Sequence, residues 1–161
     1  MPQDLESKLL SWLGDARRIV VVGVGNELRG DDSVGIRVTR QLKTTSNSRR
    51  VSIIEAETVP ENYLGTIEQL EPSHVLVIDA AEIGLEPGSV AFTELGEVLG
   101  LTVSTHNLPL SVFAEYLKRV TGAKIALLAI QPGNVEFGAD LTERLKEVSA
   151  EVTKILSEVL S

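Results

Sequence analysis

Three short aliphatic runs constrain this chain more than any other feature: Ile19-Val-Val-Val22, His74-Val-Leu-Val-Ile78 and Lys124-Ile-Ala-Leu-Leu-Ala-Ile130. A strand with one face in water alternates apolar and polar side chains, whereas a strand covered on both faces reads as a continuous apolar run. Segments of helical periodicity separate the runs, as parallel strands require for their crossovers. Val51-Ser-Ile-Ile54 adds a further strand, and residues 89–92 read as another, placed at an edge after the turn chemistry of residues 84–88. The expected fold class is α/β: a three-layer α/β/α sandwich with a mainly parallel, about five-stranded central sheet.

The helices follow from spacing. Leu5, Leu9, Trp12 and Leu13 predict a short helix over residues 4–13, and Val34, Ile36, Val38 and Leu42 predict a second from Asp32 to the polar stretch at 44–48. Thr58 and Glu61 have capping-box spacing, with Pro60 early in a helix that runs to about Leu70 before Pro72. Leu110, Phe113, Ala114, Leu117 and Val120 make one apolar face that ends at Gly122. The closing helix has Asp140 and Glu143 at capping spacing, then the stripe Leu141, Leu145, Val148, Val152, Ile155 and Val159. That stripe reads as a helix packed on the sheet in preference to a coiled-coil seam.

Length and composition bound the function. The 161 residues are expected to form a single domain, with residues 1–16 as an N-terminal helical extension. A net charge of -8 argues against nucleic acid and against an anionic membrane surface. The absence of a signal-like start and of any apolar run long enough to span a bilayer predicts a cytoplasmic protein without membrane insertion. With no cysteine in the chain, any metal must be held by oxygen and imidazole.

Three polar segments lie at or beyond strand ends: Gly23-Val-Gly-Asn-Glu-Leu-Arg-Gly-Asp-Asp32, Asp79 after its aliphatic run, and Ser104-Thr-His-Asn-Leu-Pro109. In open α/β sheets ligands bind beyond the carboxyl ends of the strands, so the three can share one crevice. Gly23 and Gly25 invite a dinucleotide reading, but Leu28 stands where the third glycine belongs and two acids follow that would repel phosphate. Of Asp31 and Asp32, one is expected to cap the following helix and the other to face the crevice. Asp79 closes an apolar strand, where an ionised carboxylate is costly unless it meets donors, a partner or a cation. His106 lies in a polar turn, while His74, at a strand start, reads as structural. Asn26 is expected to bond its own loop backbone, and Glu55 and Glu57 to form a solvated rim. The chain has no Gly-x-Ser-x-Gly elbow, which disfavours a serine hydrolase.

Taken together, Gly23-x-Gly-Asn-x-Leu-x-x-Asp-Asp32-x-x-Gly35, Ile78-Asp79-Ala80, Thr105-His-Asn-Leu-Pro109 and Ile130-Gln-Pro132 resemble the NiFe-hydrogenase maturation endopeptidases from about residue 19 onward. The Thr-His-Asn and Ile-Gln-Pro forms resemble the branch serving formate-hydrogenlyase-type and other membrane-associated hydrogenases. The resemblance implies an enzyme that cuts a C-terminal extension from the hydrogenase large-subunit precursor once nickel has been inserted. It also implies that Asp32, Asp79 and His106 are the metal-contacting and catalytic residues, with Gly25, Asn26 and Asp31 in the surrounding motif. Some relatives carry glutamate where this chain has Asp32. The only cofactor implied is nickel, supplied by the substrate and read as a signal that loading is complete.

Two carboxylates and one imidazole suit a borderline divalent ion and leave coordination positions open. Both a metal-bound water and a carboxylate general base fit that donor set. Two other functional classes compete with the peptidase: a non-catalytic metal-sensing adaptor of a metalloenzyme precursor and, more weakly, a nucleotide-binding module.

Overall fold

The aliphatic runs become the middle of one sheet. In the computed structural model, which describes residues 2–95 and 110–161, the strands are β1 (Ile19–Val24), β2 (Val51–Glu57), β3 (His74–Ala80), β4 (Val90–Leu95) and β5 (Lys124–Ile130). They lie in the order β2-β1-β3-β5-β4. The first four are mutually parallel, and β4 runs antiparallel to β5 along one edge, where the turn-bounded residues 89–92 were expected to lie. Every residue of β1 and β3 is buried, which is why neither run carries an alternating polar side chain.

Helices cover both faces. Val21, Leu76 and Leu128 pack with Leu9, Val38, Leu145 and Leu156, which belong to α1 (Pro2–Trp12), α2 (Val34–Thr45) and α5 (Glu143–Val159). Val20, Val22, Val77 and Leu127 point the other way, onto Ile67 of α3 (Leu64–Gln69) and Phe113 and Leu117 of α4 (Leu110–Thr121). Successive strand residues thus feed opposite cores, as the two-residue period demands. The result is the three-layer α/β/α sandwich. Each large aliphatic side chain buried this way contributes about 1.5–3 kcal/mol, so the two cores dominate the fold's stability.

Some local expectations give way. The α5 cap is Thr142, whose hydroxyl accepts from Leu145 N at 3.4 Å, and exposed Asp140 stays in the preceding loop. Thr58 forms no capping box. Instead Val59 opens a 3-10 turn over Pro60–Tyr63 without a side-chain cap, and Pro60 occupies the early position where its missing N–H costs nothing. The stripe of α5 faces the sheet and α2, and Thr153 Oγ1 bonds Gln41 Oε1 across that contact at 2.8 Å. On α1, Leu5, Leu9 and Trp12 sit in the core, and the Trp12 carbonyl meets His74 Nε2 at 3.0 Å. Among the described residues, no helix is long and apolar enough to cross a membrane.

Candidate active site

Glycines set the geometry at the carboxyl end of the sheet. The chain leaves β1 at Val24, loops through residues 25–29, makes a 3-10 turn over Gly30–Ser33 and enters α2. A Cβ on Gly35 would collide with the carbonyl oxygens of Val24 and Ile78, so only glycine lets the first turn of α2 rest on the ends of β1 and β3. Gly23 and Gly25 are equally crowded, by the Thr39 side chain and by the Asp32 carbonyl. Close packing of strand, loop and helix accounts for these glycines, and nothing about them calls for a phosphate.

That packing brings Asp32 and Asp79 to the same end of the sheet. Asp32 lies in the turn just before Gly35, and Asp79 directly follows Ile78 on β3. Asp32 is half-buried, and Asn26 N donates to its Oδ2 at 3.1 Å. Asn26 in turn accepts from Leu28 N at 2.9 Å, the local loop bond its residue type predicts. Asp79 is fully buried and shares the parity of Val77, which faces the α3 and α4 layer. His106 and the rest of the 104–109 segment lie outside the described residues. Among the described residues, no group of three His, Cys, Asp or Glu side chains forms a metal cluster, so the two aspartates supply at most two of the three expected ligands.

Asp31 departs from both roles foreseen for the acid pair. Neither it nor Asp32 caps α2, whose N-cap is Ser33 without a side-chain bond. Asp31 is fully buried, and its carboxylate gathers the loop between β5 and α5. Oδ2 accepts from Gly133 N at 2.8 Å and Asn134 N at 2.9 Å, and Oδ1 accepts from Thr142 N at 2.7 Å. The Thr142 hydroxyl also donates to it at 2.9–3.0 Å while capping α5. These partners lie over a hundred residues away in sequence, which is why spacing near Asp31 gave no sign of them.

Gln131 plays a similar part that residue type alone did not reveal. It is buried just past β5, accepts from Ile83 N at 2.8 Å and donates to Glu82 Oε1 at 2.9 Å, fastening the loop that follows β3. The one legible signal is an amide ending an apolar strand directly before proline. With Asp31, it ties down the loops at the carboxyl end of the sheet.

The remaining titratable groups sit elsewhere. His74 is structural, as expected: it is buried at the opposite end of the sheet, and burial pushes its pKa below the usual imidazole value despite the Trp12 carbonyl and Asp15 beside it. Lys124 holds Asp15 below the usual carboxylate range. Glu55 is more than a solvated rim, because Lys43 at 2.9 Å and Arg40 at 2.8 Å pair with it and lower its pKa. Glu57 is exposed, in keeping with the rim, and its carbonyl accepts from Gly25 N at 2.8 Å.

This geometry has known counterparts. The family model for hydrogenase maturation proteases matches residues 36–160. The chain is 34% identical to the NiFe-hydrogenase maturation protease HycI of Thermococcus kodakarensis, whose structure superposes with a TM-score of 0.89 over 98% of both chains. It is 30% identical to the hydrogenase 3 maturation protease of Escherichia coli, over 80% of this chain and 81% of that one. The maturating endopeptidase HybD of Escherichia coli matches at 26% identity with a TM-score of 0.73, over 89% of this chain and 92% of its own. The fold, the match along most of the chain and these relatives agree: the protein belongs to the hydrogenase maturation proteases and is an endopeptidase.

Proposed function

We propose that this endopeptidase removes the C-terminal extension of a NiFe-hydrogenase large-subunit precursor after nickel insertion, and that Asp32, Asp79 and His106 contact the nickel carried by that substrate. The supporting observation is the seat of Gly35 on the Val24 and Ile78 carbonyls, which puts the turn bearing Asp32 at the strand end bearing Asp79. His106 precedes α4 by only a few residues, and α4 packs on the face to which Asp79 belongs by parity. Oxygen donors and an imidazole suit nickel, and the ion is substrate here, so the protein need offer only part of its coordination sphere.

Each residue has a physical task in this reading. Asn26 N holds one oxygen of Asp32 and limits how its carboxylate turns. The strand ladder fixes Asp79, which lies opposite Ala129 of β5. Gly25, Asn26 and Asp31 shape the loop without touching the metal. In this reading the reaction takes place in the cytoplasm.

The test is incubation with a large-subunit precursor, with and without nickel, read by intact mass. Loss of the C-terminal extension only from the nickel-loaded precursor is the expected result. Equal cleavage without nickel would remove the metal-reading role, and retention of an uncut, tightly held precursor would favour a non-catalytic adaptor.

A further inference from the structure

We propose that Leu28, Val135 and Phe137 form a docking ridge for an apolar face of the precursor protein, set beside the crevice; this rests on the peptidase reading above. The three side chains are 60%, 41% and 71% exposed. Scattered exposed apolar residues are ordinary on any protein. These three differ because they stand on two loops that are bonded to each other.

Gly138 N donates to the Leu28 carbonyl at 2.7 Å, Gly30 N to the Ala139 carbonyl at 3.0 Å and Asp31 N to the Asn134 carbonyl at 2.8 Å. Arg29 Nη1 reaches the Val135 carbonyl at 3.5 Å. Within each loop, Asn26 Oδ1 accepts from Leu28 N and Asn134 Oδ1 from Glu136 N, both at 2.9 Å. Beneath them the Asp31 carboxylate gathers Gly133, Asn134 and Thr142. A slack loop could fold Phe137 inward and hide it from water. This one is fastened with the ring outward, so the apolar surface is preformed for a partner.

Position identifies that partner. Leu28 lies between Asn26 and Asp32, whose backbone N and carboxylate are bonded at 3.1 Å, so the ridge stands on the same loop as a proposed metal-contacting residue. An endopeptidase acting on a protein must hold it beside the scissile segment, and the loop bearing Val135 and Phe137 is joined to the turn bearing Asp32 by the Asp31 N bond to the Asn134 carbonyl. A second copy docked there would cover the crevice and compete with substrate. A membrane surface is disfavoured by the net charge of -8, which anionic lipid repels.

The experiment is steady-state cleavage of nickel-loaded precursor by the wild type, by Leu28→Ser, Phe137→Ser and the double variant, and by Phe137→Leu. Each protein is also melted and run by sedimentation velocity. The expected result is a KM raised about tenfold or more in the double variant, as for loss of buried apolar anchors. Its kcat and melting temperature should be unchanged, and Phe137→Leu should stay near wild type. If the wild type cuts the precursor and the folded double variant cuts it with unchanged KM, the ridge proposal falls while the peptidase reading stands. A wild type that leaves the nickel-loaded precursor whole overturns both. A wild-type dimer that the serine variants dissociate, with KM unchanged, would assign the ridge to self-association and also overturn the proposal.

Discussion

Asp31 and Asp79 are both fully buried aspartates at the carboxyl end of one sheet, yet they are held in opposite ways. Asp31 sits in a turn and draws a distant loop inward through backbone N–H groups and a threonine hydroxyl. Asp79 is part of the sheet itself, placed by strand pairing opposite Ala129 of β5. A buried carboxylate is therefore no mark of function by itself. What separates the two is how each is placed: Asp31 by bonds to a loop distant in sequence, Asp79 by its position on a central strand.

The largest stability effect should follow from breaking the architectural acid. Asp31→Ala strands several buried donors of the β5–α5 loop and should cost about 3–5 kcal/mol, visible as a large drop in melting temperature. A loss under about 1 kcal/mol would erase the distinction drawn between the two aspartates.

Gly35→Ala comes next. Its methyl group would meet backbone on two sides, so the first turn of α2 must lift from β1 and β3, at about 1–3 kcal/mol. Cleavage should fall more than stability, because Asp32 moves away from Asp79. A folded Gly35→Ala enzyme with normal activity would show that this seat does not set the site.

The smallest effect lies at the opposite end of the sheet and isolates burial from function. Burial lowers the pKa of His74, so below the ordinary value near 6.5 the unfolded chain binds a proton that the native state resists. Its contribution is fully present above that pH and is lost as pH falls below it, with a slope of at most about 1.4 kcal/mol per pH unit. Thermal melts from pH 7.5 to 5.5 should show the decline, and His74→Asn should flatten it. Unchanged pH dependence in that variant would place the titration on another group.

The architecture was legible because aliphatic runs and helical spacing are local signals. Strand membership, the parallel core, the edge position of β4 and the packed face of α5 all follow from patterns a few residues long. Boundaries at α5 and near Pro60 were read less well, since the winning cap at Thr142 depends on a hydroxyl tied to Asp31 in space. The same cause hid the roles of Asp31 and Gln131: a carboxylate or amide shows its chemistry in sequence but not which distant backbone will meet it. Asn26 was readable because its partner, Leu28 N, is two residues away. Of the expected ligands, Asp32 and Asp79 lie at the same sheet end for a reason visible in hindsight at Gly35, whose Cβ would meet the Val24 and Ile78 carbonyls, while the packing demands of Gly23 and Gly25 looked like a phosphate motif.

The central claim is that Asp79 acts on the substrate's metal centre. The direct measurement is the intact mass of nickel-loaded precursor after incubation with Asp79→Asn, beside a melting curve of the variant. Asparagine keeps the shape and removes the charge, so cleavage should collapse while the melting curve still shows a cooperatively folded protein. Complete processing by a folded Asp79→Asn protein would contradict the account.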